Sequence, residues 1–218
     1  MKILNISKEQ LINFLVDTSI RIGEGSNGIV SIYDNQTLVK IHYLDIQKSY
    51  YSNNYDYIDE EIEEKLYFEN KMKKITGLSK TDLLIELIIK LNKSNSKLID
   101  GIVMYKQYPI GVLMKYYKGY KTLGNILLKL TNAERITIYD KIKTMLYNLV
   151  ENGIYMIDIK FDNILIDEKS LDVQIIDLDD QETTVRGNDN SKEYVLKKIE
   201  SFLNLYYSFI TDTSKKIR

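Results

Sequence analysis

Residues 153–165 read Gly-Ile-Tyr-Met-Ile-Asp-Ile-Lys-Phe-Asp-Asn-Ile-Leu, and this stretch decides how the rest of the chain is interpreted. A long amphipathic helical pattern precedes it and ends at Gly153, where glycine commonly follows a helix. The apolar run Ile164–Ile166 closes the stretch and predicts a short strand. Asp158 and Asn163 are therefore expected in a loop between a helix and a strand.

The spacing of Asp158 and Asn163, five residues (163 minus 158), suits phosphoryl transfer from ATP. That reaction needs a carboxylate to accept a hydroxyl proton and an oxygen ligand for magnesium. Lys160 lies between the two and can neutralise charge on the transferring group. Asp177 follows the apolar run Val173–Ile176, and a hairpin would return it beside Asn163, so that both can ligate magnesium. The alternative is that Asp177 is only a turn residue.

A second constellation is a G-x-G-x-x-G-x-V pattern formed by Gly23, Gly25, Gly28 and Val30. Glycines let backbone amides approach phosphate oxygens because no Cβ is in the way. A dinucleotide-binding fold would place a helix after these glycines, whereas two β-rich runs follow here, over 28–33 and 37–42. The pattern predicts a phosphate-binding hairpin, with a glycine-rich turn that binds nothing as the alternative.

Lys40 lies in the second of these runs and is predicted to hold the α- and β-phosphates of a nucleotide. A solvated strand lysine is the alternative. Such a clamp needs a helix carboxylate to hold the lysine, and the pattern over 58–75 has the helical period. Glu69 falls on the inward stripe of this helix and is the chosen partner, with Glu61 and Glu64 as competitors.

In this order, the motifs resemble the protein-kinase-like superfamily from Gly23 to Asp177. Residues 153–158 are similar to the G-I-V-H-R-D start of the kinase catalytic loop, and residues 111–117 are similar to the strand and hinge that contact adenine. The resemblance implies ATP and Mg²⁺ as cofactors, with adenine contacts from Val30, Met114, Tyr116 and Leu165. It assigns catalytic roles to Lys40, Glu69, Asp158 and Lys160, and magnesium to Asn163 and Asp177.

Three departures mark a minimal form. Met156 and Ile157 replace the His-Arg pair, and Asp177-Leu178-Asp179 lacks the glycine of D-F-G and adds a charge. Only 41 residues follow Asp177 (218 minus 177), without an A-P-E sequence, so an activation segment is not expected. The chain is in this respect similar to short effector kinases of pathogenic bacteria.

The resemblance predicts an α+β, two-lobed fold. Its N-lobe, with an antiparallel sheet and a preceding short helix, is expected over 1–114, the hinge over 115–121 and a reduced, mainly helical C-lobe over 122–218. Capping-box patterns predict helices after Ser7 and after Thr131. Residues 50–57 are predicted to be a loop, and residues 82–91 fit either a helix or a strand.

Composition narrows the function further. Apolar residues make up 44% and charged residues 28%, with a net charge of -1, so nothing indicates electrostatic binding of nucleic acid. The chain has no cysteine, and His42 is its only histidine, which argues against thiol chemistry, Ser-His-Asp hydrolysis and histidine-rich metal sites. His42 is expected to be structural. No signal peptide or membrane segment is predicted, which favours a cytoplasmic protein or an effector exported without a signal peptide.

The expected function is that of a minimal serine/threonine protein kinase, since Lys160 two residues after Asp158 is similar to that class. A protein substrate and an activating partner protein are the expected partners. A small-molecule kinase of the aminoglycoside or choline type is one alternative. A pseudokinase that only binds nucleotide or a partner protein is the other.

Overall fold

The computed structural model describes residues 1–25, 27–96, 98–156, 158–178 and 189–211. The chain is α+β and divides into two compact units. Unit 1 comprises residues 1–88 and 99–116, and unit 2 comprises residues 89–98 and 117–218.

Unit 1 contains a six-stranded sheet of order β1-β5-β6-β4-β3-β2. Its strands are β1 (Lys2–Asn5), β2 (Arg21–Gly25), β3 (Gly28–Ile32), β4 (Thr37–His42), β5 (Ile99–Tyr105) and β6 (Tyr108–Lys115). All neighbours are antiparallel except β1 and β5, which run parallel, so the expectation of a purely antiparallel sheet is wrong. Strand β1 fits closely against Gly101, where a Cβ would lie 2.4 Å from the Lys2 carbonyl oxygen. Because the partner strand is about 100 residues away along the chain, the local sequence pattern of β1 does not predict this pairing.

Four helices belong wholly or partly to unit 1: α1 (Lys8–Val16), α2 (Gln47–Ser52), α3 (Ile58–Thr76) and α4 (Lys80–Lys93), the last of which continues into unit 2. The predicted capping box at α1 is confirmed, because Ser7 and Gln10 each bond the other's backbone amide. The ambiguous segment 82–91 is helical. The prediction of a loop over 50–57 is wrong in part, because α2 and a short 3-10 turn over Tyr55–Tyr57 occupy it.

Helix α2 owes its start to a residue outside it. Glu61 of α3 accepts hydrogen bonds from the amides of Lys48 (2.6 Å) and Ser49 (2.9 Å), and the Ser49 hydroxyl donates to the same carboxylate. Free amides at a helix start need such acceptors. Because this cap is supplied from the next helix, the sequence of α2 alone did not predict it.

The core of unit 1 lies between the sheet and its helices. Leu11 and Leu15 of α1, Ile29 and Ile41 of the sheet and Ile62 of α3 are all at most 1% exposed within one apolar cluster. Burial of this apolar surface holds α1 and α3 against the sheet.

Unit 2 combines a three-stranded antiparallel sheet with helices. It contains β7 (Lys121–Thr122), β8 (Ile164–Ile166), β9 (Val173–Ile175), α5 (Leu123–Ile126), α6 (Asn132–Glu151) and α7 (Asp189–Thr211). The second capping box, between Thr131 and Glu134, is confirmed. Buried Arg135 of α6 donates to the carbonyl oxygens of Leu127 (3.0 Å) and Phe209 (2.7 Å), which ties the segment before α6 and the end of α7 to α6. Of the seven described α-helices, none has the length and apolarity needed to cross a bilayer.

Candidate functional site

The loop that carries Asp158 is held at its start by buried apolar side chains. Helix α6 ends at Glu151 with Asn152 as its C-cap, and Gly153 takes the left-handed conformation (φ 73) that turns the chain away. Ile154 and Met156 are then 0% and 5% exposed. The buried Met156 side chain anchors the loop. Ile157 lies outside the described residues.

Asp158 projects its carboxylate to solvent and forms a compact polar group with Lys160 and Asn163. Its side chain is 64% exposed, and its Oδ2 accepts a bond of 2.5 Å from Lys160 Nζ. Asn163 Nδ2 donates to the Asp158 carbonyl oxygen (3.0 Å) and lies 3.4 Å from Oδ2. The predicted pair at positions 158 and 163 therefore does meet across the loop, with Lys160 beside it.

The charge of Lys160 is secured by these carboxylates. The hydrogen bond to Asp158 raises the pKa of Lys160, and the nearby charges of Asp177 and Asp162 act in the same direction. Lys160 is therefore a cation at neutral pH, in reach of any anion that approaches Asp158.

Asp177 is brought to the same end of the β8–β9 hairpin as Asn163. The register pairs Ile164 with Ile175, and the Ile176 amide donates to the Asn163 carbonyl oxygen at 2.9 Å. Asp177 itself has φ 64, a left-handed conformation that costs energy for a residue other than glycine and is frequent at functional sites. Leu178 is buried behind it (1% exposed), and Asp179 lies outside the described residues.

The two predicted magnesium ligands fit that ion. Because the Asp158 carbonyl oxygen can only accept, the Asn163 amide must direct its nitrogen there and its Oδ1 away. An amide oxygen and the carboxylate of Asp177 are the hard oxygen ligands that Mg²⁺ takes. Within the described ranges, no three His, Cys, Asp or Glu side chains cluster as a metal site. Asn163 and Asp177 are only one amide and one carboxylate, so they do not form such a three-residue cluster.

An aromatic cluster holds the loop from behind. Phe161 lies between Lys160 and Asn163, and its ring contacts Phe202, Tyr206 and Phe209 of α7 at centroid distances of 5.2, 6.1 and 5.8 Å. This support was not predicted, although the aromatic residues of α7 and the apolar Phe161 were its visible signal. Helix α7 thus positions the loop without contributing a reactive group.

The three glycines of the G-x-G-x-x-G pattern have different roles. A Cβ at Gly28 would lie 2.1 Å from the Ile41 carbonyl oxygen, so this glycine is required by the close approach of β4. A Cβ at Gly23 or Gly25 would meet no described atom within 4 Å, and neither residue has the positive φ that favours glycine. Packing therefore explains Gly28 but leaves Gly23 and Gly25 without a structural reason, whereas close approach of a ligand would supply one.

Lys40 lies in β4 between Val30 of β3 and Val112 of β6 and is only 6% exposed. The alternative of a solvated strand lysine is therefore wrong. A lysine is almost never fully buried without a specific partner for its charge.

Glu69 and Glu61 are both bound to backbone amides. Glu69 Oε1 accepts from the Lys80 amide (2.9 Å) at the start of α4, and Glu61 caps α2. The expected pairing of Lys40 with Glu69 stays a prediction. The bond from Glu69 to α4 was not foreseen, because it depends on how the chain turns at Gly77.

The glycine hairpin is tied to helix α2 by a chain of hydroxyl groups that the sequence did not reveal. Glu24, between the two open glycines, accepts a short hydrogen bond from the Tyr50 hydroxyl, and the Tyr43 hydroxyl donates to Tyr50 at 3.0 Å. The rings of Tyr43 and Tyr50 stack with centroids 4.1 Å apart. The bond from Tyr50 lowers the pKa of Glu24, with Arg21 at 2.8 Å adding its charge. In the sequence, the only indication of this chain of hydroxyl groups was the richness in tyrosine of residues 50–57.

The residues predicted to contact adenine divide between the units. Val30, Met114 and Tyr116 belong to unit 1, where Met114 pairs with Leu38 and the Tyr116 amide donates to the Gln36 carbonyl oxygen (2.8 Å). Leu165 lies in β8 of unit 2 and is half-buried. Their joint contact with a base stays a prediction.

A buried ion group in unit 1 surrounds Asp45. Lys80 Nζ lies 2.6 Å from Asp45 Oδ2, the Tyr108 hydroxyl donates to Oδ1 at 2.9 Å, and His42 Nδ1 is 3.9 Å from Oδ2. Burial lowers the pKa of Lys80, and Asp45 opposes that shift. Because the group joins β4, α4 and β6, its role is structural, and the chain's only histidine, His42, belongs to it.

Comparison with known proteins adds no family. No protein-family model matches the chain, and no curated protein matches it.

Proposed function

We propose that this chain is an ATP-dependent phosphotransferase, a minimal serine/threonine protein kinase that transfers the γ-phosphoryl group of ATP to a protein hydroxyl. The observation that carries the proposal is the polar group of unit 2, where Asp158, Lys160 and Asn163 share one loop and Asp177 returns beside it. In this proposal unit 1 is the N-lobe of a kinase-like fold, and unit 2 is a reduced C-lobe.

Asp158 would act as the base. Its carboxylate is exposed and its backbone carbonyl oxygen is held by Asn163, so the carboxylate can accept the proton of an approaching hydroxyl as the hydroxyl oxygen bonds to the γ-phosphorus. The bond from phosphorus to the β,γ-bridging oxygen breaks, and ADP leaves. Lys160 stays protonated and stabilises the negative charge of the transferring group.

In this proposal, residues of unit 1 would bind the nucleotide and residues of unit 2 would bind the metal. Lys40 would orient the α- and β-phosphates, and the backbone at Gly23 and Gly25 has the open space that close approach of phosphate requires. Asn163 and Asp177 would hold magnesium, which when bound neutralises phosphate charge.

The test is incubation of the protein with labelled ATP and magnesium, with and without a cell lysate. Label on a protein is expected. Label on a small metabolite would indicate a small-molecule kinase, and binding of ATP without any transfer would indicate a pseudokinase; either result overturns the protein-kinase proposal.

Asp158→Ala tests the base directly. Transfer should fall by about 10²–10⁴-fold, the contribution typical of general base catalysis, while ATP affinity changes little. Asp162→Ala is the matched control, because it removes another exposed carboxylate from the same loop and should keep activity. Equal activity of wild type and Asp158→Ala would refute the assignment.

A further inference from the structure

The second half of α3 carries an apolar face that no described residue covers. Its large side chains are strongly exposed: Tyr67 68%, Phe68 58%, Met72 46% and Ile75 70%, with Leu78 at 49% just beyond the helix. The rings of Tyr67 and Phe68 meet edge to face, with centroids 5.8 Å apart. Single exposed apolar side chains are ordinary, but several together on one surface indicate an interaction site.

This face is not needed for the fold of unit 1. Helix α3 already packs against the core with its other side, where Ile58 and Ile62 are fully buried and Leu66 is partly buried. The helix therefore has one apolar side that the monomer uses and a second that it leaves in water. Keeping such a surface in water forfeits favourable burial, which a partner would recover.

The charges along α3 indicate which partner fits. Its first half is acidic, with Asp59, Glu60, Glu61, Glu63 and Glu64 against Lys65, and the end of its second half is basic, with Lys71, Lys73 and Lys74. Several of these charges already bind groups of the same chain: Asp59, Glu60, Glu61, Glu63 and Lys73. A second α3 running antiparallel would place Glu64 against Lys71 on both sides of an apolar centre formed by Tyr67 and Phe68. The helix is thus complementary to itself about a two-fold axis.

We infer that this face of α3 binds a second copy of the chain in an antiparallel, symmetric dimer. With the two-fold axis between positions 67 and 68, Tyr67 lies opposite Phe68 of the second copy, and Glu64 lies opposite its Lys71. Each pair occurs twice in an isologous interface. Neither Glu64 nor Lys71 forms an ion pair with another described residue, so both charges are available.

Sedimentation equilibrium of the full chain over a wide concentration range tests this inference. The wild type is expected to reach twice the monomer mass. Lys71→Glu should weaken the dimer about tenfold, because it places like charges together in both symmetric pairs. The double variant Glu64→Lys/Lys71→Glu exchanges the two charges and should restore wild-type association.

Phe68→Asp tests the apolar centre and should give a monomer at all concentrations. Ile136→Asp is its control, since Ile136 is a similarly exposed apolar residue (48%) on α6, and this change should leave the dimer intact. Circular dichroism checks that each variant is folded. A monomeric wild type, or a dimer that Lys71→Glu leaves unchanged or that the double variant fails to restore, would overturn the inference.

Discussion

Replacing Gly25 and Gly28 by alanine, one at a time, separates a glycine kept for a ligand from a glycine kept for packing. At Gly28 the added Cβ would lie 2.1 Å from the Ile41 carbonyl oxygen, so β3 and β4 must separate by roughly 1 Å to relieve the overlap. At Gly25 the same Cβ meets no described atom within 4 Å. The two changes are chemically identical and differ only in their surroundings.

The expected stability effects follow from these distances. For Gly28→Ala, overpacking together with weakened strand hydrogen bonds should cost about 2–4 kcal/mol, a large part of the ~5–15 kcal/mol typical of a folded domain. That corresponds to a fall of roughly 5–15 °C in Tm. Gly25→Ala should change the free energy of unfolding by less than about 1 kcal/mol, because alanine adopts that backbone without strain.

The affinity for ATP, in contrast to stability, should be sensitive to the change at Gly25. If the hairpin amides bind phosphate, Gly25→Ala should weaken ATP binding by about 1.5–3 kcal/mol, the worth of a hydrogen bond to a charged group, or roughly ten- to hundredfold. Isothermal titration calorimetry measures the affinity, and urea unfolding measures the stability of the same sample. Wild-type ATP affinity in Gly25→Ala, or destabilisation as large as that of Gly28→Ala, would refute the reasoning.

Two further predictions concern the surroundings of the glycine hairpin and helix α3. Tyr50→Phe removes the hydroxyl that holds Glu24, so hydrogen exchange at the Gly23 and Gly25 amides should become faster. KM for ATP should rise about threefold to tenfold with little change in kcat. Unchanged hydrogen exchange would show that the Tyr50–Glu24 bond does not hold the hairpin. Hydrogen bonds from Lys106, and also from Tyr105 and Lys8, hold the pKa of Asp59 well below its unfolded value, so this residue contributes stability above about pH 4 that is lost as the pH falls. Asp59→Asn should therefore be less stable at neutral pH, and its free energy of unfolding should fall less on acidification than that of the wild type. If the free energies of unfolding of the two proteins fall in parallel as the pH is lowered, this reasoning is wrong.

Local patterns were enough to predict much of the fold. The capping boxes at Ser7 and Thr131, the hairpin of β3 and β4 and the helical period of α3 all depend on residues within a few positions of one another. The same is true of the loop at 158–163, where one turn of chain brings Asn163 to Asp158. Such interactions appear in the sequence because the residues that make them are neighbours.

The tertiary structure decided what depends on distant residues. Strand β1 exists because it pairs with Gly101, and α2 begins where Glu61 of another helix caps it. Only the approach of Ile41 shows that Gly28 serves packing while Gly25 does not, and only the sheet shows that Lys40 is buried. The sequence by itself determined which chemical groups are present and how they are spaced. Which of them are buried, held or left open depends on contacts between segments far apart along the chain, and those form only when the whole chain folds.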